Sequence, residues 1–572
     1  MHTNRTFKSS AAALFTLLAL LVVGAASAAA ATPETISVSP SAGLTSGGTT
    51  VTIRGNAFTS DSSVTFGGVP ASSVSVDSDS QITAVAPAGP AGTVDVRVTT
   101  ADGTSAIKPY DQFRYGGNAP ENLALDGATS SRVALQWTAP AVPSVLSYTV
   151  SRDGTTVATL SKYKTNFVDT GLAAGTTYTY AITAQTLSGP TPASAPLQVT
   201  TPTSAQTTTL TQCSSTSLPS GNYVLGNDLM GTAGCLKFDS VSDVTLDCQG
   251  HSIDTTGAST DPGNEVLYLL GVTHAFVTNC KFPSVGYPVA PATEGALRVE
   301  NSTYVSAYAN DLGSFGGNPY GTPNLLKTFG ASHLAFTNNT VTNSELYVWL
   351  ASDSYIGANT IVESPDHTTA TAIADKDGHG NVFEGNSIDG SAIDPASGDN
   401  KGSDDGFLLD SASNDTITGN DIQRVWDAGA ETIGYSYSTL ITGNNIAHAW
   451  VDGVGAYGFY QTSWFNNSVT DNTLDDSGNL IYITDGTTPD GELNTYFKYN
   501  TFDGNVGTHA NGFAGTYDRG ESRIEITRPE TISGENRVTN NKFATGPYYA
   551  PNLLPASAFT DFSNNSCGLR PG

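Results

Sequence analysis

Asp405, Asp427 and Asp452 stand 22 and 25 residues apart, and each sits in a similar unit. The units are SDDGFLLDSASNDTITGNDI from Ser403, QRVWDAGAETIGYSYSTLITGNNI from Gln423 and AHAWVDGVGAYGFYQTSWFNNSVTDNTL from Ala447. Each carries an acid beside Gly or Ala, runs through an apolar stretch, and closes on Asn with Ile or Leu two residues later. Self-similarity at this period marks a solenoid, whose coils bury their faces only by stacking. Equivalent residues of successive β-coils lie about 4.8 Å apart, so the repeat predicts a ladder of carboxylates.

Paired carboxylates do the chemistry of glycosidic bond hydrolysis, one as proton donor to the leaving oxygen and one as base or nucleophile. One coil of separation gives about 5 Å, the retaining spacing, and two coils or a diagonal reach roughly 6.5–9.5 Å, the inverting one. Crowded like charges also raise a carboxyl pKa toward neutrality. The catalytic candidates are Asp404, Asp405, Asp427 and Asp452, with Asp410 and Glu431 beside them and Asp476 extending the ladder in a slipped register. Two other readings compete. Asp before Gly suits turns, and a one-residue slip would send a side chain to the other face. Calcium binding by the same oxygens is the third; no other metal or cofactor is expected.

Aromatic residues crowd the same stretch. Of five Trp, Trp349, Trp426, Trp450 and Trp464 fall in the central coils, with Tyr457, Tyr460 and Tyr482 nearby. Flat rings with a polar edge suit sugar faces, although some must be interior stacks. Trp426, Trp450, Tyr457, Tyr460, Glu431 and His367 are the expected substrate contacts. A second polar cluster, ESPDHTTATAIADKDGHGN from Glu363, reads as a long loop carrying Asp366, His367, Asp375, Lys376, Asp377 and His379. His there could serve as acid or base, and Lys or Arg could neutralise a uronate carboxylate.

The elements that must position these residues are short strands. Repeat cores such as LAFTNNTV from Leu334, NVFEGNSI from Asn381 and NSVTDNTL from Asn467 alternate apolar residues toward a coil interior. The recurring Asn339, Asn359, Asn386, Asn420, Asn444, Asn472, Asn500, Asn541 and Asn565 suit tight bends, because Asn tolerates the left-handed region and bonds to backbone. Cys213, Cys235, Cys248 and Cys280 cluster at the start of the repeat, with Cys567 apart. VTLDC from Val244 and FVTNC from Phe276 look like one position in adjacent coils, so the expected pairs are Cys213 with Cys235 and Cys248 with Cys280.

Residues 1–31 read as an export signal, with Arg5 and Lys8, an apolar run and a small-residue end. No later run is long enough to span a bilayer. The formal net charge of −28 over 572 residues argues against nucleic acid and anionic lipid as partners. Sparse charge with abundant Gly, Ser, Thr and Asn fits secreted β-structure.

ISVSPSAGLTSGGTTVTIRGNAF from Ile36, VTFGGVPA from Val64 and ITAVAPAG from Ile82 resemble an IPT/TIG domain over 33–116. VALQWTAP with Trp137, SYTVSRDG with Tyr148 and GLAAGTTYTYAITA with Tyr178 resemble a fibronectin type III domain over 118–202. In that fold Trp137 is a core residue and Tyr178 a corner tyrosine bonding to backbone. Residues 203–209 read as a linker. The remainder, 210–572, resembles the pectin-lyase-like superfamily, which implies a right-handed parallel β-helix in an all-β chain. Members are mostly polysaccharide lyases, hydrolases and uronate epimerases, with some non-catalytic proteins.

Family motifs do not transfer. Polygalacturonases carry Asn-Thr-Asp, Asp-Asp, Gly-His-Gly and Arg-Ile-Lys in that order; here Asp404-Asp405 follows Gly378-His379-Gly380 and no Arg-Ile-Lys exists. Mannuronan epimerases carry Asp-Pro-His-Asp, against Pro365-Asp366-His367 here. The expectation is a secreted glycoside hydrolase acting on a polysaccharide, with cell-surface or cell-wall contact through the front domains. The alternatives are a uronate lyase or epimerase using His367, Lys376 or Arg424, and a non-catalytic glycan-binding or adhesion protein.

Overall fold

The computed structural model describes residues 32–142, 144–187, 189–214, 216–231, 234–255, 266–283, 296–313, 324–363, 368–391, 402–449, 451–457, 463–475, 479–484, 497–498, 500–507, 524–527, 536–543, 559–563 and 566–567. The expected signal, Asp366, His367, Trp450, Tyr460, Asp476 and Asn565 lie outside them, as do the side chains of Tyr457 and Tyr482. No helix among the described residues is long and apolar enough to cross a membrane.

Strict alternation builds the two front modules as sandwiches. In Thr50–Asn56 every second residue is buried, and buried Phe66 and Phe113, on strands of the other sheet, meet edge to face at 5.2 Å. In the second module Trp137 is buried and packs edge to face on Tyr148 at 5.5 Å, and the Ala173 N–H donates to Tyr178 Oη at 3.0 Å. Both residues hold the places that their fold type assigns.

From Thr208 the chain winds through three parallel sheets, sheets A, C and B in that order in each coil. Sheet A runs from Thr208–Leu210 to Phe559–Ser563, sheet B from Leu236–Asp239 to Ile524–Thr527, and sheet C from Lys281–Phe282 to Ser566–Cys567. One apolar core of Leu, Ile, Val, Ala and Phe fills the interior. Residues 203–209 are not a bare linker: Ser204–Gln206 makes a 3-10 turn, and Thr208–Leu210 pairs as the first strand of sheet A.

The turn from sheet A to sheet C explains the recurring Asn. Asn310, Asn339, Asn359, Asn386, Asn420, Asn444, Asn472, Asn505 and Asn541 stack inside it, each Nδ2 donating to the next Oδ1 at 2.9–3.1 Å. The ladder therefore includes Asn310 and Asn505, and Asn500 belongs elsewhere, to a second run with Asn467 and Asn536. The left-handed residue is the one before each ladder Asn, such as Ala358 (φ 54°) or Gly419 (φ 61°). The Asn side chain supplies hydrogen bonds to buried backbone instead.

Disulfides join Cys213 to Cys235 and Cys248 to Cys280, as expected from sequence. The register is one residue off that reading, since Val244 pairs with Ala275. These bridges tie the first coils.

Both front modules sit on the sheet A side of the solenoid. Asp126 accepts from Ser306 Oγ and from Gln136 Nε2 (2.6 Å) at a fully buried seam, and Ser161 Oγ donates to Glu384 Oε2 at 2.6 Å. Further along, Ile36 packs on Phe465, Arg54 donates to Asn466 at 3.2 Å, and the Tyr110 and Tyr437 rings lie 4.9 Å apart.

Candidate active site

Three strands of sheet B carry the acids: Gly402–Asp410, Ala428–Ile433 and Asp452–Tyr457. Asp405-Gly406 and Asp452-Gly453 thus lie in strands and not at turns, whereas Asp427 sits in the bend that leads into Ala428–Ile433. At this level the backbone turns two consecutive residues inward. Gly406 and Phe407 both face the core, because a Cβ on Gly406 would stand 2.6 Å from Ile422 Cγ2 and Phe407 is fully buried in the same core. Gly429 and Ala430 repeat this one coil on, where a Cβ on Gly429 would meet Ile446 Cγ2 at 2.3 Å. Glycine is needed at both positions for space.

Register then decides which acids meet. Ala428 pairs with Asp452 in the next coil, and Phe407 with Ala430. Asp405 and Asp452 therefore share a column with Ala428 between them. Asp427 is not the middle rung: its N–H donates to the Asp404 carbonyl at 2.6 Å, so it stands beside Asp404. The expected ladder of Asp405, Asp427 and Asp452 is corrected to two adjacent columns. Spacings of 22 and 25 cannot reveal this, because the connection from sheet B to sheet A changes length between coils.

Carboxylate oxygens of Asp405, Asp427 and Glu431 all lie within 4.8 Å of one another. Asp405 Oδ1 also accepts the Ala428 N–H at 3.2 Å. Burial is the first cause of every shift here. It drives Asp405 well above the carboxylate range, reinforced by the charges of Glu431, Asp404 and Asp427. Burial and then Asp427 push Glu431 up to about 7, partly offset by its hydrogen bond with Asp405. Burial and then Asp404 push Asp427 up to about 7. Asp404 is the exposed member, raised to about 6, where water limits what its surroundings can do. Near neutral pH the cluster therefore holds protonated and ionised carboxyls side by side.

Other candidates fall elsewhere. Trp426 adjoins Asp427, and its indole N–H finds no acceptor among the described residues. Trp464 is interior, stacked on Phe502 at 6.1 Å with Nε1 donating to Thr432 Oγ1 at 2.7 Å. Asp410 lies outside the cluster, paired with Lys376 at 2.9 Å, and Arg424 pairs with Asp389. The stretch read as a loop after Glu363 contains a nine-residue strand, Thr368–Lys376. Asp375 in it is fully buried, bonded to Asn381 Nδ2 at 2.8 Å, and burial raises its pKa to about 7. Asn381 N–H also donates to buried Asp415 at 2.8 Å, so an interior acid pair flanks Asn381. Sequence alone gave no sign of that pair, since parity along a bent strand is not readable from spacing.

Comparisons agree with the architecture. Family models match an IPT/TIG domain over residues 33–115, a fibronectin type III domain over 118–200 and a right handed beta helix region over 326–512. The chain is 32% identical over 153 residues to a poly(3-hydroxybutyrate) depolymerase of Ralstonia pickettii, covering 23% of this chain and 30% of that protein. A poly(3-hydroxybutyrate) depolymerase of Delftia acidovorans is 36% identical over 89 residues, covering 16% and 17%. The chain thus spans less than a third of the length of the curated relatives it matches. A family 28 exopolygalacturonase of Yersinia enterocolitica covers 79% of this chain and 96% of its own, at 10% identity and a TM-score of 0.39. A likeness that low carries no argument about activity.

Proposed function

We propose that the chain hydrolyses glycosidic bonds of a polysaccharide at the acidic crease of sheet B. The observation that carries this reading is the trio of Asp405, Asp427 and Glu431 within 4.8 Å, beside Gly406 and Gly429 of the strands that hold Asp405 and Glu431. Coil building does not require it: ionised together, three crowded carboxyls, two of them buried, repel one another and lose hydration. Carboxyls this close match the spacing of retaining enzymes and leave no room for a water between them.

In this reading Glu431, raised to about 7, holds a proton near neutral pH and gives it to the leaving glycosidic oxygen. Asp427, the less buried of the trio's acids, attacks the anomeric carbon as the carboxylate. Water then cleaves the glycosyl ester, returning a proton to Glu431. Asp405 shares a hydrogen bond with Glu431 and orients it. Trp426 lies against the reacting sugar.

The test is a panel of soluble polysaccharides read for new reducing ends, with poly(3-hydroxybutyrate) as a control. Glu431→Gln and Asp427→Asn should each lower kcat by about 100-fold or more. Full activity in both variants would refute the assignment. Unsaturated product ends would mark a lyase instead.

A second reading is favoured by the same 4.8 Å spacing: the trio holds a divalent cation such as calcium. Chelation would then abolish activity or lower stability, whereas the hydrolase reading expects neither. Export is supported by the two disulfides, which persist in oxidising compartments. Within this proposal the front modules hold the enzyme at a cell surface or wall, tested by whether cells or wall preparations retain the full chain and release a variant lacking 32–200.

A further inference from the structure

Sheet B continues toward the N-terminus from the acidic crease, and its outer face there has a different character. Glu431 pairs with Leu408, Leu408 with Ala374 and Ala374 with Tyr347, so Tyr347 lies three coils upstream in the same column. Three coils are about 14 Å, the reach of a few sugar units. In the adjoining column Trp349 pairs with Lys376, and Lys376 with Asp410. Phe329, Tyr347 and Trp349 form one half-exposed cluster there. Phe329 and Trp349 meet edge to face at 4.9 Å, and Tyr347 and Trp349 at 6.2 Å. The Trp349 indole N–H has no acceptor among the described residues.

Of the cations along this face, Lys327 adjoins Tyr347 in its column, and three others are neutralised by carboxylates. Lys376 pairs with Asp410 at 2.9 Å on the crease side, and Arg298 with Glu300 at 2.7 Å on the other. Two coils further, Lys237 pairs with Asp239 at 2.8 Å. Tyr268 has Lys237 and Arg298 over its ring at 5.4 and 5.2 Å, so its faces are taken and it offers no platform. A polyanion would have to displace a carboxylate from each of these three, in a chain of net charge −28. An uncharged chain meets neither obstacle. It needs ring faces, which the half-exposed Tyr347 and Trp349 supply, and sheet B runs on from them to the crease.

We infer that the outer face of sheet B at Phe329, Tyr347 and Trp349 is a binding track for an uncharged polysaccharide, leading its chain into the acidic crease. The inference rests on the glycan reading of that crease and adds the charge class of the substrate and the side from which the chain lies.

The experiment is affinity electrophoresis of the full-length Glu431→Gln protein in gels containing a glucan, a mannan, a galactan or a xylan, or polygalacturonate or alginate, at low and high NaCl. At least one neutral polysaccharide should retard the protein equally at both salt concentrations. Tyr347→Ala and Trp349→Ala should each weaken that retention by about fivefold or more, with Trp349→Phe restoring part of it. Circular dichroism and melting of each variant separate lost binding from lost folding. Retardation by polyuronates alone, falling with salt, overturns the inference, as does retardation by none or neutral binding indifferent to both ring variants in folded protein. Because Glu431→Gln reports binding without turnover, ring-dependent binding by a wild-type chain that releases no reducing ends would refute the hydrolase reading and leave this one standing.

Discussion

Replacing Glu431 by Gln should separate the cost of the crease from its use. Glu431 is buried and raised from its ordinary 4.5 to about 7, first by burial and then by the charge of Asp427. A displacement of that size disfavours the ionised form in the folded chain by up to about 3 kcal/mol. The sign follows from proton counts. Between pH 4.5 and 7 the folded chain keeps a proton that the unfolded chain has released, so stability falls as pH rises through that window. Above it the whole cost is present, and Gln, of similar shape and without charge, removes it. Glu431→Gln should therefore be more stable than wild type at pH 8, by up to about 3 kcal/mol, and nearly equal at pH 4.5. Urea unfolding followed by tryptophan emission suits this, because four of the five Trp lie in the solenoid. The same variant should lose activity at every pH. An equal change in stability at both pH values, or a loss of stability at pH 8, would refute the reasoning.

Two other substitutions test what positions the crease. Gly406→Ala would place a methyl 2.5 Å from the Gly429 carbonyl oxygen and 2.6 Å from Ile422 Cγ2, so it should cost roughly 1–3 kcal/mol and lower kcat with it, read by urea unfolding and reducing-end release. Asn386→Ala would remove the acceptor of the Asn359 N–H and Nδ2, 3.1 and 2.9 Å away, and the donor to the Ile356 carbonyl and to Asn420. Several buried groups are then unpaired, so a loss of roughly 2–5 kcal/mol is expected in the same unfolding measurement, with the protein still β-rich by circular dichroism.

The sequence by itself determined the architecture, because local chemistry repeated many times leaves few alternatives. Alternating apolar residues, an Asn at each bend and a period near that of one coil can be satisfied together only by stacking. The resemblance to a fibronectin type III domain placed Trp137 in a sandwich core, and the four clustered cysteines pair as expected. The repeat also marked Ser403–Asp485 as the acidic stretch, and Asp405 and Glu431 do meet Asp427 there.

Tertiary structure alone decided which acid faces which. Asp427 had the right spacing for the middle rung and the wrong register, since it stands beside Asp404. Asn500 had the right motif and the wrong ladder, and Asn505 took its place. Asp375 looked like a loop residue and is interior. The physical reason is common to all three. A coil's length varies, while the 4.8 Å stacking distance and the two-residue inward turn at Gly406 and Gly429 do not. Spacing along the chain measures the first, and the meeting of side chains depends on the second.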